Sequence, residues 1–417
     1  MMPRVIRAAV CGIYAVCTLT IVVIAGGCTT TGQTLGSTVV QRNTVSGISA
    51  EPPVLSAAQL ALLARRTQRE EELLDAPLTA ESAAEIALLH HPSVERALET
   101  LGMPGFDRLR LAHLVNPAFN RGRPPSTVET RIEKPLSVNL MTWVIIPALD
   151  SSGSTEERTA RVQAADEIVA LLFAARRAWV SAVAARQSVR YFEDVVVAVE
   201  AGREIMESMR RVGNSSELET LRAQTLYADA VAHLTTVQVT AAIERERLVQ
   251  TLGLWGMDAE RVRFPERLPD LPPAPVGADG LEARAIAQRF DVHAGRLEGL
   301  AGEAGVNARA DVRTAWLAYR GAYDLARHMR DALVPLANRV SEEQLKLYNG
   351  MLISVLDLVA DATERINAVN AALGTERDFW LAEIELQRAM SGVGVSAVAA
   401  RPGVQGGFRP GAAYHVH

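Results

Sequence analysis

Cysteine is nearly absent from this 417-residue chain, and the three that occur, Cys11, Cys17 and Cys28, all lie close to its start. The rest of the sequence therefore has no disulfide framework, no thiolate metal site and no cysteine nucleophile. Aromatic residues are also scarce, at 5% of the chain, although 48% of it is hydrophobic. The apolar content is mostly Ala, Val and Leu, which favours long, closely packed helices over an aromatic-rich β protein.

An excess of basic charge and the common catalytic motifs are lacking as well. The net charge is −5, so we expect no nucleic-acid partner. No HExxH, CxxC, GxSxG or P-loop motif occurs, and the histidine pairs at 90–91 and 415/417 lack a matching second pair of ligands. We predict that the protein is not an enzyme and binds no cofactor and no metal ion.

The segment 1–27 has the layout of an export signal peptide. Arg4 and Arg7 precede an uncharged apolar run from Ala8 to Gly26, and small residues come directly before Cys28. The alternative is an uncleaved membrane anchor, since the apolar run is close to the length that spans a bilayer.

This stretch resembles a bacterial lipoprotein signal, in which the cysteine becomes the first residue and is acylated. The resemblance implies lipid attachment at Cys28, and Thr29 in the next position favours sorting to the outer membrane. Ala25 stands where the pattern prefers a large aliphatic residue. Residues 28–54 are rich in Thr, Gly, Ser and Val, and we predict that they form an extended, lipid-anchored tether.

Helical patterns dominate the rest of the chain. Apolar residues spaced three and four apart form a heptad-like seam from Ile168 to Val199. Pro92 breaks an earlier helical pattern, and the Gly- and Pro-rich tail at 391–417 is predicted to be disordered. The predicted helices cover residues 55–74, 79–101, 155–211, about 216–252, 281–348 and 354–390, and a proline-rich linker covers 263–280.

One segment has the period of a β-strand. Val128, Thr130 and Ile132 alternate with charged residues, and apolar residues continue to alternate as far as Leu140. We predict one small β segment within residues 108–147.

The two halves of the chain repeat each other. A shift of 137 positions places Trp179 on Trp316 and Gly213 on Gly350 without gaps. We therefore predict a mainly α fold, a tandem repeat of long antiparallel helical hairpins. The first repeat covers 55–262, with its hairpin at 155–252, and the second covers 281–390.

The helices before the two hairpins correspond at a larger offset. Val94 matches Val292, an offset of 198. The second copy is therefore shorter by about 61 positions, the difference between the two offsets, and in the first copy these positions hold the β segment.

In this order of elements the chain resembles the lipoprotein branch of the TolC-like outer-membrane efflux channel family, over about residues 55–390. The resemblance rests on the lipoprotein-like start, the tandem repeat, the proline-rich linker and the phrases "HPSV", "RFDV", "GNSSELETL" and "GMLISVLDLV". The second β-hairpin of the family pattern is missing here.

The resemblance implies a homotrimer whose hairpins form an α-barrel tunnel across the periplasm. The trimer would be anchored in the lipid of the outer membrane. Such a tunnel docks on a periplasmic adaptor protein and an inner-membrane pump, and exports solutes without catalysis. The resemblance also places Gly213 and Gly350 at the periplasmic tips of the hairpins. The acids at the entrance of the tunnel would then be Glu217, Glu219 and Asp357. The alternative is that these acids only cap helix N-termini, where the helix dipole favours carboxylates.

Two other hypotheses remain open. The chain is a non-conducting periplasmic coiled-coil scaffold lipoprotein, or a monomeric helical binding protein. Whichever hypothesis holds, we predict that Trp179 and Trp316 pack in the helix seam and do not form ligand cages.

Overall fold

The computed structural model describes residues 57–102, 153–289, 291–292 and 301–392. Contacts divide the chain into one unit at residues 1–60 and a second at 61–417, which contains the long helices. The described residues are mainly helical and contain no strand, so the prediction of a mainly α fold is confirmed. Cys28, the predicted β segment and the tail beyond residue 392 lie outside the described residues.

The helices form two long antiparallel hairpins, each preceded by shorter helices. We name them α1 (Ala57–Asp75), α2 (Ala80–His90), α3 (Pro92–Thr100), α4 (Thr155–Arg211), α5 (Glu217–Leu252), α6 (Met257–Arg261), α7 (Leu281–Gln288), α8 (Ala301–His328), α9 (Val334–Asn349) and α10 (Val355–Ser391). A π-helical turn, Met329–Leu333, joins α8 to α9.

Helix α4 is the longest element, and local signals set both of its ends. Ser154 caps its start in a capping box with Glu157, and Gly213, with φ +81°, follows its last residues. At 1.5 Å per residue its 57 residues span about 85 Å.

The N-terminal half of α4 forms the centre of the core. Its apolar residues from Ala164 to Ala184 are buried against α2, α3 and α10. By length and composition α4 contains a stretch that is apolar enough to cross a membrane, but 61% of that stretch is buried within the structure. Packing in the core therefore accounts for its apolar character.

The four long segments lie side by side in a fixed order. Helix α4 packs against α5 and against α10, and α10 in turn packs against α8 and α9. Helices α4 and α10 are therefore the inner helices of this layer, while α5 and the α8–α9 pair are its two edges.

The predicted helical span from 281 to 348 departs from a regular α-helix at two places. One is the π turn at Met329–Leu333. The other is Arg289, which is extended at φ −67° and ψ 132° and ends α7. His91, its counterpart at the larger repeat offset, has nearly the same backbone angles and ends α2 in the same way.

Tertiary contacts hold Arg289 in this extended conformation. Its side chain is 2% exposed and forms ion pairs with Asp291 and Asp311. It also donates a hydrogen bond of 2.8 Å to the carbonyl of Ala389, near the C-terminal end of α10, where the helix dipole favours a cation.

The proline-rich linker is an ordered strap across the layer. Side chains of α8 and α10 bind its backbone: Tyr323 Oη donates to the carbonyls of Pro272 and Pro273, and Trp380 Nε1 donates to that of Pro269. Because proline offers no backbone N–H, its free carbonyls are the groups available for such contacts. The strap therefore fixes the middle of the layer.

The two predicted tryptophan positions make the same contact in each repeat. Trp179 Nε1 donates to the carbonyl of Leu78 at 2.8 Å, and Trp316 Nε1 donates to that of Val276 at 3.1 Å. The donors are separated by 137 positions and the acceptors by 198, the same two offsets that the sequence repeat has. Each indole therefore ties a hairpin to the segment before it, a contact that the prediction of packing in the helix seam did not include.

We predict that Trp179→Phe lowers the free energy of unfolding by about 1–3 kcal/mol, because the carbonyl of buried Leu78 loses its donor. Urea denaturation followed by circular dichroism measures this change. Trp255→Phe is the matched control, since Trp255 is 84% exposed. Equal stabilities of the two variants would contradict a structural role for the indole–carbonyl bond.

Candidate functional site: the turns and edges of the hairpins

The turn of the first hairpin is built by hydrogen bonds at both helix ends. The N–H of Gly213 bonds to the carbonyl of Arg210, and the N–H of Asn214 bonds to that of Met209. Ser216 then caps α5 in a capping box with Glu219. Gly213 has the left-handed conformation that this type of helix ending requires.

The turn of the second hairpin has the same bonds, one position later than the repeat predicts. The N–H of Met351 bonds to the carbonyl of Tyr348, and Ser354 caps α10 in a capping box with Asp357. The left-handed residue is Met351, with φ +57°, whereas Gly350 has φ −81°. Both predicted glycines lie in the turns, but the equivalence of Gly213 with Gly350 was wrong, because Met351, at an offset of 138, is the counterpart.

The three predicted acids lie at the starts of the returning helices. Glu219 accepts hydrogen bonds from the N–H and Oγ of Ser216, at 2.7 and 2.9 Å. Asp357 accepts the equivalent bonds from Ser354, at 2.8 and 2.9 Å. In each case the bond from the backbone N–H is the main cause that holds the pKa of the carboxyl below its usual value.

Glu217 differs from the other two acids. Its side chain is 71% exposed and its contact with Arg210 is 3.8 Å long. Glu217 and Glu219 lie beside the turn of the first hairpin, while Asp357 lies beside the turn of the second hairpin. The capping alternative therefore accounts for the contacts of Glu219 and Asp357, whereas Glu217 projects into solvent.

Apolar side chains are exposed next to these acids. Val212, Met351 and Leu352 are between 70% and 94% exposed.

Within the described residues no group of three or more His, Cys, Asp or Glu is placed to hold a metal ion. Of the two histidines at 90–91, His91 Nδ1 lies 2.8 Å from Ser93 Oγ and His90 lies 3.2 Å from Glu70.

The described fold is similar to the folds of three solved membrane or outer-membrane proteins, one of them an outer-membrane channel. It matches the outer membrane protein VceC of Vibrio cholerae with a TM-score of 0.53 at 14% identity, over 76% of this chain and 97% of that one. It matches the outer-membrane channel OprN with a TM-score of 0.53 at 15% identity, over 78% and 92%. A membrane protein of Pseudomonas aeruginosa matches with a TM-score of 0.53 at 14% identity, over 78% and 93%.

Comparison of the sequence finds no relatives, whereas comparison of the structure does. No family model matches the chain, and no curated protein sequence matches it. The resemblance to TolC-like channels, which short phrases and the repeat predicted, is confirmed at the level of the fold.

We predict opposite effects for two substitutions at the left-handed positions. Gly213→Ala lowers the free energy of unfolding by about 1–2 kcal/mol, since a Cβ disfavours this conformation. Met351→Gly raises it by up to about 1 kcal/mol for the same reason. Gly202→Ala in α4 is the control, because a Cβ there meets no atom within 4 Å, and it gains about 0.5–1 kcal/mol. Chemical denaturation measures all three, and a loss for Met351→Gly would contradict the turn geometry.

The capping carboxylates predict a dependence of stability on pH. Because the pKa of Asp357 is lower in the folded chain than in the unfolded chain, its stabilisation is complete above the unfolded value near 4 and is lost as the pH falls through the folded value. Asp357→Ala therefore lowers the melting temperature at pH 7, and the difference from wild type shrinks below about pH 4. Glu217→Ala is the control, and we expect it to change neither the melting temperature at pH 7 nor the dependence of that temperature on pH. A difference that stays constant as the pH falls below about 4 would contradict capping by the carboxylate.

Proposed function

We propose that the protein is an outer-membrane efflux component whose copies close into a helical tunnel across the periplasm. The observation that carries this proposal is the distribution of exposed apolar side chains over the helical layer. Three copies, a periplasmic adaptor protein and an inner-membrane pump follow from the resemblance and are part of the proposal.

Large apolar side chains are exposed on the two edges of the layer. On the inner helices the exposed ones are Val197 and Ile205 of α4, and none lies on the described side chains of α10. The edge helices carry Leu218, Leu221, Val231, Val239 and Ile243 on α5, and Val306, Leu317, Leu325, Leu333, Leu336, Val340, Leu345 and Leu347 from α8 to α9.

Exposed apolar stripes of this extent mark contact surfaces. On α5 the residues Leu221, Thr225, Ala228, Ala232 and Val239 follow one another at steps of mostly three and four, the spacing at which two helices pack. Since both edges are helical and apolar, another helix is the partner that fits them.

Ring closure follows from the difference between the two edges. The α5 edge of one copy is not the same surface as its α8–α9 edge, so a contact between them is heterologous. Heterologous contacts close into rings when the rotation per copy permits. A ring of such layers encloses a channel lined by the inner faces of the helices.

The ends of this tunnel are assigned by the same proposal. The turns at Gly213 and Gly350 lie at the periplasmic end, where Glu217, Glu219 and Asp357 surround the entrance and the adaptor docks. Acylated Cys28 holds the chain at the outer membrane through roughly 0.8 kcal/mol per buried methylene.

One observation favours the non-conducting scaffold as a second candidate function. Only residues 289–300 separate α7 from α8, and 291–292 within them are helical. A membrane-spanning strand needs about 9–11 residues, so the second repeat has no room for a hairpin that crosses the membrane. Three copies with one hairpin each supply about six strands, fewer than the eight of the smallest usual barrels.

Substitution of an edge tests the assembly. We expect the wild-type protein to sediment as a trimer and Val239→Glu with Ile243→Glu to sediment as a monomer, because two carboxylates are buried in the contact. Val197→Glu on inner helix α4 is the matched control, since Val197 is 68% and Val239 56% exposed, and it stays trimeric. A monomeric wild type would overturn the ring, and circular dichroism verifies that each variant is folded.

Conductance separates the tunnel from the scaffold. A purified trimer that conducts ions across a planar bilayer supports the channel. A stable trimer with no conductance would overturn it in favour of the scaffold.

A further inference from the structure

In the second hairpin, four aromatic side chains fill the space beside the strap. They are Tyr319 and Tyr323 of α8 and Phe379 and Trp380 of α10, and the centroids of the rings in contact are 5.0–5.7 Å apart. Tyr319 Oη accepts a hydrogen bond of 3.2 Å from the N–H of Val276. Tyr323 and Trp380 donate hydrogen bonds to strap carbonyls. The rings therefore join α8, α10 and the strap.

The two offsets of the repeat identify the counterparts of these rings in the first hairpin, and none of the counterparts is aromatic. At an offset of 137 the two tyrosines of α8 correspond to Ala182 and Arg186 of α4, and at 138 the two rings of α10 correspond to Ala241 and Ala242 of α5. The first hairpin thus has small or charged side chains where the second has rings.

A cavity of about 330 Å³ lies at this place in the first hairpin. All four counterparts line it, together with Arg245 of α5 and with Glu260, Val262 and Phe264 of the segment that leads into the strap. Its volume is at the lower end of the range of roughly 300–1,000 Å³ that is typical of small-molecule pockets. Since the second hairpin fills the equivalent space with its own rings, the cavity suits an aromatic ring.

Arg186 brings a positive charge to the wall of the cavity. Its guanidinium lies over the ring of Phe264, with Cζ 5.8 Å from the centroid, a contact that attracts a cation to an aromatic face. Among the described residues this is the interaction that Arg186 makes, and none of them forms an ion pair or a hydrogen bond with its guanidinium. The N–H groups of Arg186 are therefore available to an anion.

The other charges at the cavity are arranged differently. Arg245 pairs with Glu246 at 2.8 Å and donates a hydrogen bond of 2.7 Å to the carbonyl of Ala259. Glu260 is exposed. Arg186 is thus the cation of this wall that a bound carboxylate would neutralise.

We propose that the cavity binds a small molecule with one aromatic ring and one carboxylate. The ring occupies the space that Phe379 and Trp380 fill in the second hairpin, and the carboxylate accepts hydrogen bonds from Arg186. A bound ring joins α4, α5 and the strap, as the aromatic cluster does in the second hairpin. All the residues of the site belong to one chain, so this binding does not depend on the proposed tunnel.

Two fluorinated probes test the site on the full-length protein in its native oligomeric state. We expect para-fluorobenzoate to bind, as measured by fluorine NMR titration. The alcohol para-fluorobenzyl alcohol has the same ring without the carboxylate. We expect it to bind at least about tenfold more weakly, because a hydrogen bond to a charged group contributes about that much to affinity.

Arg186→Gln tests the contact with the carboxylate. It is expected to weaken binding of para-fluorobenzoate at least about tenfold and to leave binding of the alcohol unchanged. Arg211→Gln is the matched control, since Arg211 is an exposed arginine of the same helix that lies outside the cavity. It is expected to bind both probes as the wild type does.

A second variant fills the cavity with the side chains of the other repeat. Arg186→Tyr with Ala242→Trp gives the first hairpin two of the rings of the second, and we expect it to bind neither probe. Ala198→Trp is the control, because Ala198 is exposed on α4 and does not line the cavity. Circular dichroism verifies that each variant is folded.

Three outcomes would overturn the proposal. The first is a wild-type protein that does not bind para-fluorobenzoate at millimolar concentration. The second is a folded double variant that binds it as the wild type does. The third is equal affinity of Arg186→Gln and the wild type, which decides the question even where the double variant does not fold. None of these outcomes depends on conductance or on the number of copies in the assembly.

Discussion

Four long helices packed in a single layer cannot bury themselves, and the rest of this structure depends on that constraint. Within the described residues the inner helices α4 and α10 each pack against long helices on two sides, whereas α5 packs mainly against α4, with smaller contacts to α2 and α10, and the α8–α9 pair packs against α10. Apolar side chains on these edges remain exposed in the single chain. In the proposed ring a second copy of the same layer covers them, and repeated edge-to-edge contact would enclose a channel.

The contacts that hold the helices of the layer together are concentrated along one part of their length, and fewer side chains are buried towards the hairpin turns. The proline-rich strap, the two indole–carbonyl bonds and the cluster around Phe379 all lie near the middle of the long helices. Beyond them a small core around Phe192 joins the first hairpin to Ile366 of α10, while no residue of α9 is buried within the single chain. Burial is thus distributed unevenly between α4 and the α8–α9 pair, although they derive from one repeated plan.

Local signals in the sequence predicted most of the helix ends, because those ends are stabilised by residues that are near in sequence. Ser216 and Ser354 cap helices through bonds to acids three positions later. The break at Arg289 was not located from the sequence, because two of its three partners, Asp311 and the carbonyl of Ala389, are distant in sequence. The π turn was missed as well, although the serine caps correspond at an offset of 138 and the tryptophans at 137.

The sequence by itself determined the helical class, the duplicated plan and the two offsets, since apolar periodicity and a shared tryptophan need no knowledge of the third dimension. Only the tertiary structure decided which helices are inner and which are edges, because that depends on which faces meet. It also decided that Met351, and not Gly350, takes the left-handed place in the second turn. The physical reason is that one extra residue in a helix either rotates everything beyond it or is absorbed in a π turn, and the π turn at Met329–Leu333 absorbs it here.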